Sequence, residues 1–80
     1  MWYVYFLELA NDDIYVGFTA DLRTRLAAHN TGEVPSTRPY RPACLRSYVA
    51  VESEGQARDL ERYFKTGSGK AVAKKRFLSR

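Results

Sequence analysis

Trp2-Tyr3-Val4-Tyr5-Phe6-Leu7-Glu8-Leu9-Ala10, then Asn11-Asp12-Asp13, then Ile14-Tyr15-Val16-Gly17-Phe18-Thr19: two aromatic and β-branched runs flank three turn-forming residues. Side chains of the first kind fit a pleated, half-buried surface, and Asn and Asp bond their own backbone in turns, so this opening predicts a β-hairpin. Its register decides whether Tyr5 and Tyr15 can meet. A two-residue Asn11-Asp12 loop pairs Leu9 with Ile14 and puts the two phenols on opposite faces. A three-residue loop, with Asp13 left-handed, pairs Leu9 with Tyr15 and puts both phenols on one face. A site shared by the two tyrosines needs the odd-length loop or an equivalent bulge.

Beyond the hairpin, Asp21 is placed to cap a helix running to about Asn30 and stopped by Thr31-Gly32. Three prolines between Glu33 and Pro42 predict a surface loop without regular structure. Ala43 to Val51 alternates as a third strand. Ser53 with Gln56 reads as a capping box for a helix to about Thr66, broken by Gly67, and Ser68 opens a short last helix. The order β-β-α-β-α-α predicts an α+β fold, a small and mostly antiparallel three-stranded sheet flanked by helices.

Eighty residues, 45% of them hydrophobic and 28% charged, suffice for one small domain over residues 1–80 and argue against disorder. No apolar run of about 18 residues is present to span a membrane. The first residues lack a basic leader and a small-residue cleavage site, so a signal peptide is not expected. One cysteine, Cys44, and one histidine can form neither an internal disulfide nor a zinc cage, which suits a reducing, cytoplasmic setting. Cys44 itself reads as a small strand residue. A net charge of +4 favours a polyanionic partner.

Helix geometry singles out polar groups on apolar stripes. Arg25 and His29 fall with Leu22 and Leu26, and Glu61 falls with Ala57, Leu60 and Phe64. Burying an unpaired charge costs several kcal/mol, so each requires compensation. Two readings meet that requirement: an internal Arg25–Glu61 salt bridge or side chains that snorkel to water, and a cleft in which Glu61 meets a hard divalent cation and Arg25 meets a phosphate.

These residues, taken in order, resemble the GIY-YIG nuclease superfamily. The resemblance rests on Tyr3-Val4-Tyr5, Tyr15-Val16-Gly17, Thr19, Asp21-Leu22, Arg25-Leu26, His29-Asn30, Gly32, Ser36-Thr37, Arg41-Pro42, Glu61-Arg62-Tyr63-Phe64-Lys65 and Gly67-Ser68-Gly69-Lys70. It spans essentially the whole chain. Tyr3 stands where the first tripeptide of the family has glycine, and Ala73 stands near the place of an asparagine found in well-studied members. The resemblance implies metal-dependent hydrolysis of DNA phosphodiester bonds to 5′-phosphate and 3′-hydroxyl ends. By position, Glu61 would hold one Mg²⁺ or Mn²⁺, and Arg25 would neutralise the scissile phosphate. Tyr5 or Tyr15 would orient water or take its proton, with His29 as a further acceptor or phosphate contact.

A DNA partner, with branched and flapped forms among those expected, also suits the charge distribution. Arg38, Arg41 and Arg46 occur between Val34 and Ala50 without an acid, and seven basic residues without an acid follow Glu61, ending at Arg80. Tyr3, Gly17, Arg38, Arg41, Lys65, Lys70, Lys74 and Lys75 are the expected substrate-facing positions, with Ser36, Thr37 and Tyr40 as candidate loop contacts. Gly17 reads either as room for substrate or the first helix, or as a bulge glycine. Two other classes remain open: a nucleic-acid-binding module with a weak or inactive site, for DNA or RNA, and a small interaction subunit of a repair assembly.

Overall fold

The computed structural model of the protein describes residues 1–78; Ser79 and Arg80, the last of the predicted basic residues, lie outside the described part. The elements are β1 (Trp2–Glu8), β2 (Ile14–Thr19), α1 (Leu22–Asn30), a short 3₁₀ turn (Arg38–Tyr40), β3 (Cys44–Val51), α2 (Glu54–Phe64) and α3 (Gly67–Arg76). The sheet is antiparallel with order β2-β1-β3. The predicted order and class hold.

The hairpin closes with an odd-length loop, but one notch earlier than the expected pairing. Leu7, not Leu9, lies opposite Tyr15, and Asp12, not Asp13, takes the left-handed conformation with φ 69°. Asp13 is already committed: its carbonyl accepts from Leu9 N–H at 2.8 Å, and its own N–H donates to Asn11 Oδ1 at 3.1 Å. The loop is therefore Ala10-Asn11-Asp12, a turn closed by a left-handed residue. Shifting the pairing by two residues preserves side-chain parity, so Tyr5 and Tyr15 still share a face.

Each face of the sheet has its own core. Val4, Phe6 and Val16 pack with Ala57, Phe64 and Ala73 under α2 and α3. Tyr5, Leu7, Leu9 and Ala43 pack on the opposite face with Leu22 and Leu26 of α1. α1 starts where Asp21 accepts from Thr24 N–H, and α2 starts with the full Ser53–Gln56 capping box. The last two helix boundaries move: α2 ends at Phe64, and Thr66 rather than Ser68 caps α3 by accepting from Gly69 N–H. Gly69 fits the corner between these helices because a Cβ there would overlap the Tyr63 carbonyl. The proline-rich loop is more ordered than expected, since Pro39 sits inside a 3₁₀ turn whose φ it already satisfies. No helix among the described residues is long and apolar enough to cross a membrane.

Candidate active site

Tyr5 lies opposite Gly17 in the β1–β2 ladder, and its phenol crosses the neighbouring strand at that residue. A Cβ on Gly17 would overlap the Tyr5 hydroxyl and ring. The pairing there is regular, without a bulge, so the missing side chain makes room for Tyr5 rather than for α1. Past Gly17 the hydroxyl reaches His29 Nε2 at 3.0 Å. Tyr15 completes an aromatic triangle, with its ring centroid 6.4 Å from Tyr5 and 5.0 Å from His29. Both tyrosines and His29 thus meet on the α1 face, near the β2 edge of the sheet.

The proton positions follow from what each group can do. Arg25, exposed at the rim of α1, interacts with the Tyr5 phenol and more weakly with Tyr15. A guanidinium only donates, so the Tyr5 oxygen is the acceptor towards Arg25, and its own proton stays available for His29 Nε2. His29 is fully buried, and burial, reinforced by the Arg25 charge, holds its pKa below the usual value, so the ring is neutral and can accept. On its other side, Nδ1 stands 2.8 Å from Thr37 Oγ1. Burial pushes the Tyr5 phenol up; the Arg25 hydrogen bond opposes that rise, and the charges of Tyr15 and Glu61 add to it. The bond with Tyr5 in turn raises the Arg25 pKa, against the opposing effect of burial.

Glu61 is carried by α2, whose apolar residues pack on the far face of the sheet, and its charge acts on Tyr5. The internal Arg25–Glu61 salt bridge does not form among the described residues. Glu61 instead has Lys65 Nζ at 3.5 Å one turn on, with its side chain 23% exposed. Lys65 Nζ also lies 5.8 Å from the Tyr15 ring centroid. No group of three or more His, Cys, Asp or Glu side chains that could hold a metal occurs among the described residues. A single water-accessible carboxylate fits Mg²⁺, which keeps most of its waters and shares substrate phosphate oxygens, and does not fit a cation needing a full protein cage.

The remaining predicted positions divide. A groove of about 590 Å³ opens beside Tyr15, lined by Lys65, Lys70, Lys74, Ser36 and Tyr40 together with Asp12 and Asp13 of the hairpin turn. Lys75 is exposed on α3 outside that lining. Arg38 and Arg41 are exposed, but each commits its Nε to the loop backbone: Arg38 donates to the Gly32 carbonyl at 2.6 Å, and Arg41 to the Arg38 carbonyl at 2.9 Å. Tyr3 packs edge-on to Tyr48 and lines a separate hollow with the start of α1. Arg46 is paired with Glu8, which offsets its charge. Ala73, near the place of the absent asparagine, is buried in the α2/α3 core.

Thr37 is the residue the sequence misplaces. A threonine in a proline-rich loop reads as an exposed contact, yet it is fully buried and bonded to His29. No periodicity or spacing signals this, because the contact spans a loop closure between α1 and β3.

Comparison with known proteins agrees with the geometry. The family model described as the GIY-YIG catalytic domain matches residues 1–76. The UPF0213 protein SpyM50708 of Streptococcus pyogenes serotype M5 (strain Manfredo) is 41% identical over 64 residues, covering 79% of this chain and 70% of that protein. The UPF0213 protein SpyM3_1077 of serotype M3 (strain ATCC BAA-595 / MGAS315) is 39% identical over the same length and coverage. The solution structure of the UPF0213 protein BH0048 from Bacillus halodurans superimposes with a TM-score of 0.56 at 30% identity, over 90% of this chain and 81% of that one. On the match of the family model over residues 1–76, with relatives and a solved structure alike in sequence and fold, this chain belongs to the GIY-YIG family.

Proposed function

We propose that the protein is a divalent-metal-dependent endonuclease that hydrolyses DNA phosphodiester bonds. The observation that supports this reading best is the Tyr5 phenol, whose hydroxyl lies 3.0 Å from His29 Nε2 with the Arg25 charge acting on it. A phenol with its pKa near or above 10 is a poor base at neutral pH. One whose own proton has a waiting acceptor is a better one. Water attacks phosphorus and passes a proton to the Tyr5 oxygen as the Tyr5 proton moves to His29 Nε2. The P–O3′ bond breaks, and the leaving oxygen is protonated from solvent. Arg25 meets the charge that grows on the phosphate oxygens. Glu61 would hold the Mg²⁺ or Mn²⁺ ion, whose role when bound is to neutralise the phosphate and polarise it.

The lysine-lined groove beside Tyr15 suits a phosphate backbone, and contacts of that kind carry no base information. Structure-selective cleavage of branched or flapped DNA in repair or processing, alone or within a larger assembly in the cytoplasm, accords with this surface. The test is Mg²⁺- or Mn²⁺-dependent nicking across linear, flapped and branched DNA, with an RNA arm. Glu61→Gln and Arg25→Ala should each abolish it; nicking that survives both changes refutes the proposal. The buried Ala73 favours one other reading, a nucleic-acid-binding module without cleavage. That module would show salt-dependent binding and no product with any divalent ion.

A further inference from the structure

His29 can serve Tyr5 only in one of its two neutral tautomers. Nε2 must carry the lone pair, and the ring proton must sit on Nδ1. Nothing on α1 enforces that choice. The group that faces Nδ1 is the Thr37 hydroxyl, 2.8 Å away and fully buried. Thr37 Oγ1 also lies 3.4 Å from the Val34 carbonyl, which only accepts. That carbonyl already takes the Thr37 and Arg38 backbone N–H groups; a Thr37 proton directed to it leaves oxygen lone pairs facing Nδ1. With the Thr37 proton placed there, the order of donation runs from the Tyr5 hydroxyl to His29 Nε2, from His29 Nδ1–H to Thr37, and from Thr37 to the Val34 carbonyl. The chain of bonds runs from the β1 strand through α1 to the loop ahead of β3.

We infer that Thr37 is a positioning residue, which holds His29 in its Nδ1–H tautomer and so keeps Nε2 ready for the Tyr5 proton. The consequence for cleavage rests on the nuclease reading above; the tautomer does not. Burial of the ring, which keeps it neutral, is consistent with the assignment. Ordering of the loop by the same hydroxyl would be a purely structural role, and it predicts no change in which ring nitrogen carries the proton.

His29 is the only histidine in the chain, so its two ring nitrogens can be read directly by long-range ¹H–¹⁵N spectroscopy of the full chain. The wild-type protein should carry the proton on Nδ1 at neutral pH. Thr37→Val keeps the shape and removes the acceptor, and should shift the proton towards Nε2. It should also lower kcat by about 10- to 100-fold, with KM little changed, as loss of a partner that orients a functional histidine does. Thr37→Ser keeps the hydroxyl and should retain both the tautomer and kcat. A wild-type ring protonated on Nε2 overturns the inference, and so does a folded Thr37→Val protein with unchanged tautomer and kcat within twofold. Should Thr37→Val fail to fold, the wild-type and Thr37→Ser spectra decide in the same way. A protein with the expected tautomer but no cleavage on any substrate would refute the nuclease proposal and leave the tautomer assignment standing.

Discussion

Replacing Gly17 with alanine tests the central packing relation of the site. Gly17 is a strand residue without a positive φ. Were it an ordinary strand glycine, alanine would stabilise the protein by about 0.4–1 kcal/mol through the unfolded state. The structure predicts the opposite sign, because the new Cβ would overlap the hydroxyl and ring of a Tyr5 that is only 2% exposed. Tyr5 must then shift, at about 1–3 kcal/mol for overpacking. If the shift breaks its bond to His29 Nε2, a buried group is stranded at about 1–3 kcal/mol more. After subtracting the unfolded-state gain, the net loss is about 1–6 kcal/mol, centred near about 3 kcal/mol. At about 4–8 °C per kcal/mol for a domain of this size, that central loss should lower Tm by roughly 10–30 °C. Urea and thermal denaturation measure the loss directly. A double-mutant cycle isolates the cause: in a Tyr5→Leu background the same alanine should cost less than about 1 kcal/mol, since the shorter side chain does not cross Gly17. A Gly17→Ala protein as stable as wild type, or a cycle without coupling, would refute the reasoning.

Three further outcomes are expected. Because burial and then the Arg25 charge lower the His29 pKa, the unfolded chain takes up the imidazole proton at higher pH than the folded one. Stability should therefore be full above about pH 6.5 and decline as pH falls below it, with a slope of at most about 1.4 kcal/mol per pH unit. Urea titrations between pH 7 and 5 that give a flat profile would contradict this; Asp21, held below its ordinary value by the Thr24 backbone bond, acts only at more acid pH. Gly69→Ala should destabilise by about 3 kcal/mol, because its Cβ meets the Tyr63 carbonyl and the Phe64 backbone, neither of which can rotate aside; calorimetry showing an unchanged Tm would be incompatible with the α2–α3 corner. Lys70→Ala and Lys74→Ala should each reduce the slope of log K against log salt for DNA binding by about 0.9 if the groove tracks phosphates. Unchanged slopes would place the DNA elsewhere.

The sequence alone was enough for the hairpin, the order of elements and the alignment of Arg25, His29 and Glu61 with apolar stripes. Each of these is set by neighbours within a few positions: turn chemistry at Asn11 to Asp13, capping at Asp21 and Ser53, and the helical period on α1 and α2. Local turn chemistry allowed either parity for Tyr5 and Tyr15; the odd-length loop was expected because a shared site needs it, and the register bears that out with Asp12 rather than Asp13 left-handed. What Gly17 is for, which partner Glu61 takes, how Arg38 and Arg41 are used and where Thr37 lies were decided only by tertiary structure. The tyrosine–histidine contact joins residues 24 positions apart, and the short-range ones, Glu61 with Lys65 and Arg41 with the Arg38 carbonyl, are side-chain choices that spacing does not dictate. Spacing along one element constrains which side a residue faces, but only the packing of α1, β1 and the closing loop around a common point determines what it finds there.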